Sequence, residues 1–365
     1  MGKRLINLLR IVTLIALMLL AGWGLMTLGT LHQQACPELY APGSSDYLWL
    51  YLILVAVTLL LIPVMSSVGG LLSGYRLYRM KLLFLEVTQE EKLRFRLTRH
   101  MGYGTDLVPP RTDGTSPYRL ALLSLPLLMT ALAALLLGLA AIFWRTGAAR
   151  VLLIIPFFCL GATMVCLLPR RNGSDYPSLL LAFRNKDRQR AWECALHITA
   201  ALSDGRKLAD MPEEWFHTYP AEIADDLYVS NCIINGSSRL IRQRRFAEGY
   251  DMLQPLFSLQ PTPETHHVVA CALLNGAICE VLADRPANCL NQLEHDSIKY
   301  MLPLSWKPRL LTAKYARALL IDRDDAAAAA LLDEIGKTPD PEQIDADLLR
   351  LIQEKAGLTT KEDAP

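Results

Sequence analysis

Seven histidines, at positions 32, 100, 197, 217, 266, 267 and 295, are the first residues in this chain that could do chemistry. A zinc hydrolase needs two histidines one helical turn apart with a glutamate beside the first. Both imidazoles then face one metal, and the carboxylate takes a proton from its bound water. No pair here has that spacing, and the adjacent His266 and His267 point to different faces of any helix. Ser66 and Ser67, beside Gly69 and Gly70, would need a base to act as nucleophiles. The stretch that holds them, "LLLIPVMSSVGGLLSGYRLYRM", has no charged residue and no histidine before Arg76, so small residues that let helices pack closely are the reading. Eight cysteines occur without a CxxC pair, which points to reduced thiols in helix interiors rather than to a zinc ribbon. No cofactor and no metal are expected.

The elements around these residues belong to a membrane protein. Of 365 residues 52% are hydrophobic and 20% charged, with a net charge of +1, too apolar for one ordinary soluble domain. Four apolar runs, about 9–31, 47–70, 118–144 and 149–168, are each long enough to cross a bilayer at ~1.5 Å per residue. The first follows Lys3, Arg4 and Arg10 but exceeds the core of a signal peptide, so an uncleaved span is expected. Lys and Arg are missing from 32–46 and abundant in 75–117, and Arg170 and Arg171 follow the fourth run. This asymmetry predicts a multi-pass protein of the cell membrane with both termini cytoplasmic. Arg94, Arg96 and Arg99 suit an inner loop near anionic lipid, and no nucleic-acid partner is expected.

Between the second and third runs, alternating apolar residues on either side of "TQEE" predict a β-hairpin over 81–101, followed by a Gly- and Pro-rich loop. Pro63 removes a backbone donor within the second span. Beyond residue 175 the period becomes helical, with helices expected near 177–203, 222–242, 245–257, 264–283, 286–297, 305–321, 324–336 and 341–355. Sliding the sequence by about 40 residues aligns "INGSSRLIRQRRFAEGYDML" with "LNGAICEVLADRPANCLNQL" and "YARALLIDRDDAAAAALLD". Gly236, Gly276 and Ala316 then coincide, as small residues should where helices cross closely.

The arrangement "GLLSGYRLYRMKLLFLE", "KLRFRLTRHMGYGTDLVPP", two spans, then "NGSDYPSLLLAFRNKDRQRAWECALHITAALSDGRKLADMPEEWF" resembles a bacterial family of site-2-protease-like intramembrane zinc metallopeptidases, over about residues 60–216. The resemblance implies a His-Glu-x-x-His helix at the inner end of a span, just before a Gly-x-x-x-Gly-Tyr-like stretch. Anchored on Gly70 to Tyr75, this chain has Ile62 and Ser66 where the histidines belong and Pro63 where the glutamate belongs. The family's third ligand, an aspartate in an Asn-Asp-Gly-like motif, corresponds to Asp175, with Ser174 and Tyr176 replacing its neighbours. The C-terminal part resembles tetratricopeptide-like helical hairpins.

The expectation is therefore a mainly α protein in three parts. Residues 1–174 form a four-span transmembrane helical body with a small cytoplasmic β-hairpin, 175–219 a helical connector, and 220–365 a cytoplasmic α-solenoid-like repeat domain with a frayed tail. Its function would be non-catalytic, with the lipid bilayer and a protein or peptide as partners. The alternatives are an active intramembrane metallopeptidase with divergent ligands and a simple membrane anchor for a repeat scaffold.

Overall fold

The computed structural model describes residues 2–40, 46–89, 93–167, 179, 183–260, 262, 265–286, 288–295, 307–337 and 346–358. It is mainly helical and divides into two compact units, Met1–Leu196 and His197–Pro365.

In the first unit α1 runs Gly2–Ala35, α2 Asp46–Leu72, α3 Tyr118–Ile142 and α4 Gly147–Leu167. Tyr118–Ile142 and Gly147–Met164 are long and apolar enough to cross a membrane. Proline stands inside three of these helices, as Pro63, Pro126 and Pro156. Leu125, Met129 and Ala133 of α3 and Cys159 of α4 form a buried core, against which Ile62 and Met65 of α2 pack. α1 leans on α4, where a Cβ added at Gly22 would lie 3.5 Å from the Phe157 ring. Elsewhere α1 leaves Leu19, Leu20, Trp23 and Met26 exposed, an apolar surface that water would disfavour.

The tightest crossing joins α2 to α3. A Cβ added at Gly69 would fall 2.1 Å from Ser124 Oγ and 2.3 Å from its Cβ. Gly69→Ala is therefore expected to destabilise this unit by about 1–3 kcal/mol, an overpacking cost. Ser124→Gly should relieve it, and a double-mutant cycle on thermal melting in detergent should show coupling of about 1 kcal/mol or more. Additive effects would mean that the two helices do not meet here.

β1, Arg76–Gln89, and β2, Leu93–Val108, make a two-stranded antiparallel sheet with Arg76 opposite Val108 and Gln89 opposite Leu93. The hairpin is longer than the 81–101 expected: "GYGTDLV" is strand, not loop. The glycines misled because they fit a bulged strand: Gly102 pairs with Leu83, whose φ is +57°, beside a register shift, and Gly104 has φ +146°. Beyond the bulge Leu85 faces Leu97 and Val87 faces Phe95, while Glu86 faces Arg96 and Thr88 faces Arg94. One face of the hairpin is thus apolar and the other charged.

α5, Lys186–Ser203, runs from the first unit into the second. In the second unit follow α6 Leu227–Arg242, α7 Phe246–Phe257, α8 His266–Leu282, α9 Asn288–His295, α10 Lys307–Arg317, α11 Asp325–Gly336 and α12 Ala346–Lys355. The sequence placed the start of α6 at 222. Residues Ala221–Ile223 are instead a single 3-10 turn, and the helix begins after Asp226, whose carboxylate caps it by accepting from Tyr228 N and Val229 N. α5 begins at Lys186 after a turn at 183–185, where Asn185 Oδ1 accepts the Asp187 N–H; of the expected stretch before it, 177, 178 and 180–182 lie outside the described residues and Leu179 is helical. α8 is buried continuously from Val268 to Leu282. Its companions α6, α7, α9 and α10 surround it, which is why its sequence has no polar face.

Three left-handed residues, Arg244, Asp284 and Arg323, turn the chain after α6, after α8 and after the π-turn Ala318–Asp322 that extends α10. The small residues of the 40-residue register lie where helices touch: a Cβ at Gly276 would meet Cys289 Sγ at 2.8 Å and Phe257 Cζ at 2.9 Å. At Gly236 it would meet Met252, and Ala316 is buried.

Candidate functional site

The C-terminal half of α2 is where catalysis was to be sought. Ile62 is half-buried and turned to the α3–α4 core, Pro63 is buried, and Ser66 is half-buried. The polar groups there satisfy one another. Ser67 Oγ donates to the Pro63 carbonyl at 2.7 Å and Thr105 Oγ1 donates to the same oxygen at 3.0 Å. Met80 Sδ lies 3.4 Å from Ser67 Oγ. Hydroxyls spent on a carbonyl have no base to activate them. Asp175 lies outside the described residues. Among the described residues no three His, Cys, Asp or Glu side chains come together as metal ligands would.

Three of the described histidines pack against aromatic rings. His32 is fully buried, with Nε2 2.7 Å from the Trp144 carbonyl and its ring edge-on to the indole. His197 lies against Trp215, and His217 against Tyr219.

A buried carboxylate that the sequence did not flag organises the first unit. Glu193 of α5 has no exposed surface. Its Oε2 accepts Gly114 N at 2.7 Å, and its Oε1 accepts Ser116 N at 2.9 Å and Gln189 Nε2 at 2.9 Å. Gln189 Nε2 also donates to the Ser116 carbonyl. The loop "RTDGTSP" between β2 and α3 is thus gripped by one helix. Gly114 is required twice over: its φ is +78°, and a Cβ would sit 2.8 Å from the Lys186 carbonyl. Beside the grip, Tyr118, Phe183, Trp192 and Tyr75 form an aromatic chain with ring centroids 4.9, 4.9 and 5.9 Å apart. Burial, and then the neighbouring Glu193, push the Tyr75 hydroxyl pKa well up, so it stays protonated.

The second unit has its own buried carboxylate, Glu280 of α8, which accepts Cys289 N at 2.9 Å and Tyr250 Oη at 3.3 Å. The first of these bonds caps the start of α9, and burial raises the carboxyl pKa. Burial also pushes the thiols of Cys271 and Cys279 up to about 12. Both are therefore expected to resist alkylation at pH 8 in the native protein, as mass spectrometry after maleimide treatment would read. Their folded pKa lies above the ordinary 9.0, so the stability they contribute is full below pH 9 and is lost as pH rises toward 12. Denaturation midpoints should fall over that window, and less steeply in Cys271→Ala.

Between α6, α7 and the segment 213–218 lies a cavity of about 290 Å3. Phe216, Leu240 and Met252 give it apolar walls, and Arg239 and Arg245 bring cations to it. Sequence reasoning missed it, because only the folded register sets Phe216 against the last turn of α6.

Comparison with protein-family models, with curated proteins and with solved structures returns no match for this chain.

Proposed function

We propose that this protein is a non-catalytic, four-span membrane protein of the site-2-protease type whose cytoplasmic helical hairpins bind a protein or peptide partner. The observation that carries the non-catalytic part is the C-terminal half of α2. At the three positions a His-Glu-x-x-His helix would use stand Ile62, Pro63 and Ser66, with the Pro63 carbonyl closed by Ser67 and Thr105. No metal-bound hydroxide can be generated from such groups.

The packing of the first unit supports four spans. The end of α1 meets the α3–α4 turn through His32 and Trp144, while the end of α2 meets the start of α3 through Gly69 and Ser124. Contacts of this kind suit successive helices that run in opposite directions, as four spans with both termini on one side require, and the Lys and Arg asymmetry supports a cytoplasmic location for that side. Cys36 is buried against the Trp144 carbonyl and is a poor reporter. A cysteine introduced at exposed Glu38 should be labelled by an impermeant maleimide on intact cells. One at exposed Leu358 should be labelled only after permeabilisation. The reverse pattern would invert the topology.

Partner binding is supported by the helical hairpins of the second unit and by the cavity beside α6 and α7. Crosslinking in cells followed by affinity capture tests it. A partner should be recovered with the full chain and lost when 220–357 is deleted; recovery of the same partner with the deleted chain would remove the repeats from the function. Purified protein should hold far less than one zinc per chain, and stoichiometric zinc lost on Asp175→Ala would overturn the non-catalytic reading.

A further inference from the structure

The cavity beside α6 and α7 holds a guanidinium that no hydrogen bond or ion pair engages among the described residues. Arg239 is 7% exposed, and its Nε has no hydrogen-bond partner. No ion pair reaches it among the described residues; what it has is the Phe216 ring, 5.4 Å from the guanidinium carbon. Nearby charges are already matched. Arg245 pairs with Glu248 at 2.6 Å and reaches Glu213 at 3.6 Å, and Asp251 pairs with Arg285 at 3.3 Å. Burying a cation without a partner is unfavourable, and a fold keeps such a local conflict where a ligand resolves it.

We propose that this cavity takes the C-terminal residue of a polypeptide, with its carboxylate on Arg239 and its apolar side chain against Phe216, Leu240 and Met252. This rests on the reading that the helical unit binds a polypeptide partner, and it supplies the chemistry of that partner. A guanidinium fork matches a carboxylate in shape and charge. The apolar walls need a hydrophobic group close to that carboxylate, which a terminal residue carries on the same Cα. Glu213, Glu248 and Asp251 also line the cavity, the first two on Arg245 and the third on Arg285, and they favour a singly charged carboxylate over a phosphate group, whose charge of about −1.5 to −2 they would repel more strongly.

The test uses the full chain in detergent and fluorescein-labelled heptapeptide pools ending in Leu, Val or Phe, read by fluorescence anisotropy. The free-acid pool should bind, and amidating the C-terminus should weaken binding by about tenfold or more. An amidated pool with an internal aspartate should stay weak. Arg239→Met should abolish free-acid binding and leave the melting temperature unchanged or higher, since the charge it removes has no partner; Arg242→Met, exposed on the same helix, should leave binding intact. Equal binding of acid and amide to the native protein, which needs no variant to fold, overturns the proposal. So does free-acid binding that survives Arg239→Met, or no binding of the free-acid pool at millimolar concentration. If acid and amide bind alike while crosslinking still recovers a partner through 220–357, this inference falls and the wider reading stands. If neither peptides nor a partner are captured, both fall.

Discussion

Gly276→Leu is expected to unfold the C-terminal helical unit. The glycine sits in the middle of α8, the helix buried on every side, and even a Cβ there would approach Cys289 Sγ of α9 and the Phe257 ring of α7 to within 3 Å. A leucine adds three more carbons to a space already filled from two helices, and neither neighbour is the free end of a long chain. Overpacking of a dense core costs about 1–3 kcal/mol for an extra methylene or two, and a whole isobutyl group exceeds that range. Gly→Ala would regain some helix propensity, but leucine cannot trade that gain against the clash. The buried thiols report the outcome: Cys271, Cys279 and Cys289 should become reactive toward maleimide at pH 8 under conditions where the native protein protects them. Protection equal to the native protein would show that α7, α8 and α9 do not cross at this residue.

The second large effect lies at Glu193. Replacing it with alanine removes the acceptors of two backbone N–H groups, Gly114 and Ser116, and of the Gln189 amide, all buried. Hydrogen bonds to a charged group contribute about 1.5–3 kcal/mol each, and a buried donor left without a partner costs about 1–3 kcal/mol. A loss of about 3 kcal/mol or more is expected for the first unit, together with release of the loop from β2 to α3. Glu193→Gln should fall between the two, since an amide keeps one acceptor oxygen and turns an NH2 toward a donor. Trypsin cleavage after exposed Arg111 reads the loop directly, because a gripped loop resists the extended conformation a protease requires. Cutting in Glu193→Ala at the native rate, with unchanged melting, would refute the grip.

Much of the architecture was legible in the chain because it follows from partition between water and apolar surroundings. Runs of apolar residues marked the long helices, alternation marked the strands on either side of residues 90–92, and a 3.6-residue period marked α6 to α12. Gly236 and Gly276, small residues that the 40-residue register aligned, do lie where a Cβ would meet a neighbouring side chain. That the side chains of Ile62 and Pro63 cannot ligate a metal was equally plain, because it depends on residue type alone.

What the tertiary structure decided are the pairings over long separations. Glu193 meets Ser116 across 77 residues and Gly114 across 79, and nothing in the period of α5 distinguishes that glutamate from a solvated one. The strands run past Gly102 and Gly104 because a bulge at Leu83 accommodates them, a matter of register between two segments that local propensity cannot express. Arg239 reads in sequence as an ordinary cation in the last turn of a helix. It becomes a buried, unpaired cation only when Phe216 folds over it and Glu248 is taken by Arg245. Local sequence fixes which face a residue turns to water. Which distant partner meets it there depends on how the helices pack, and both candidate sites of this protein arise from that packing.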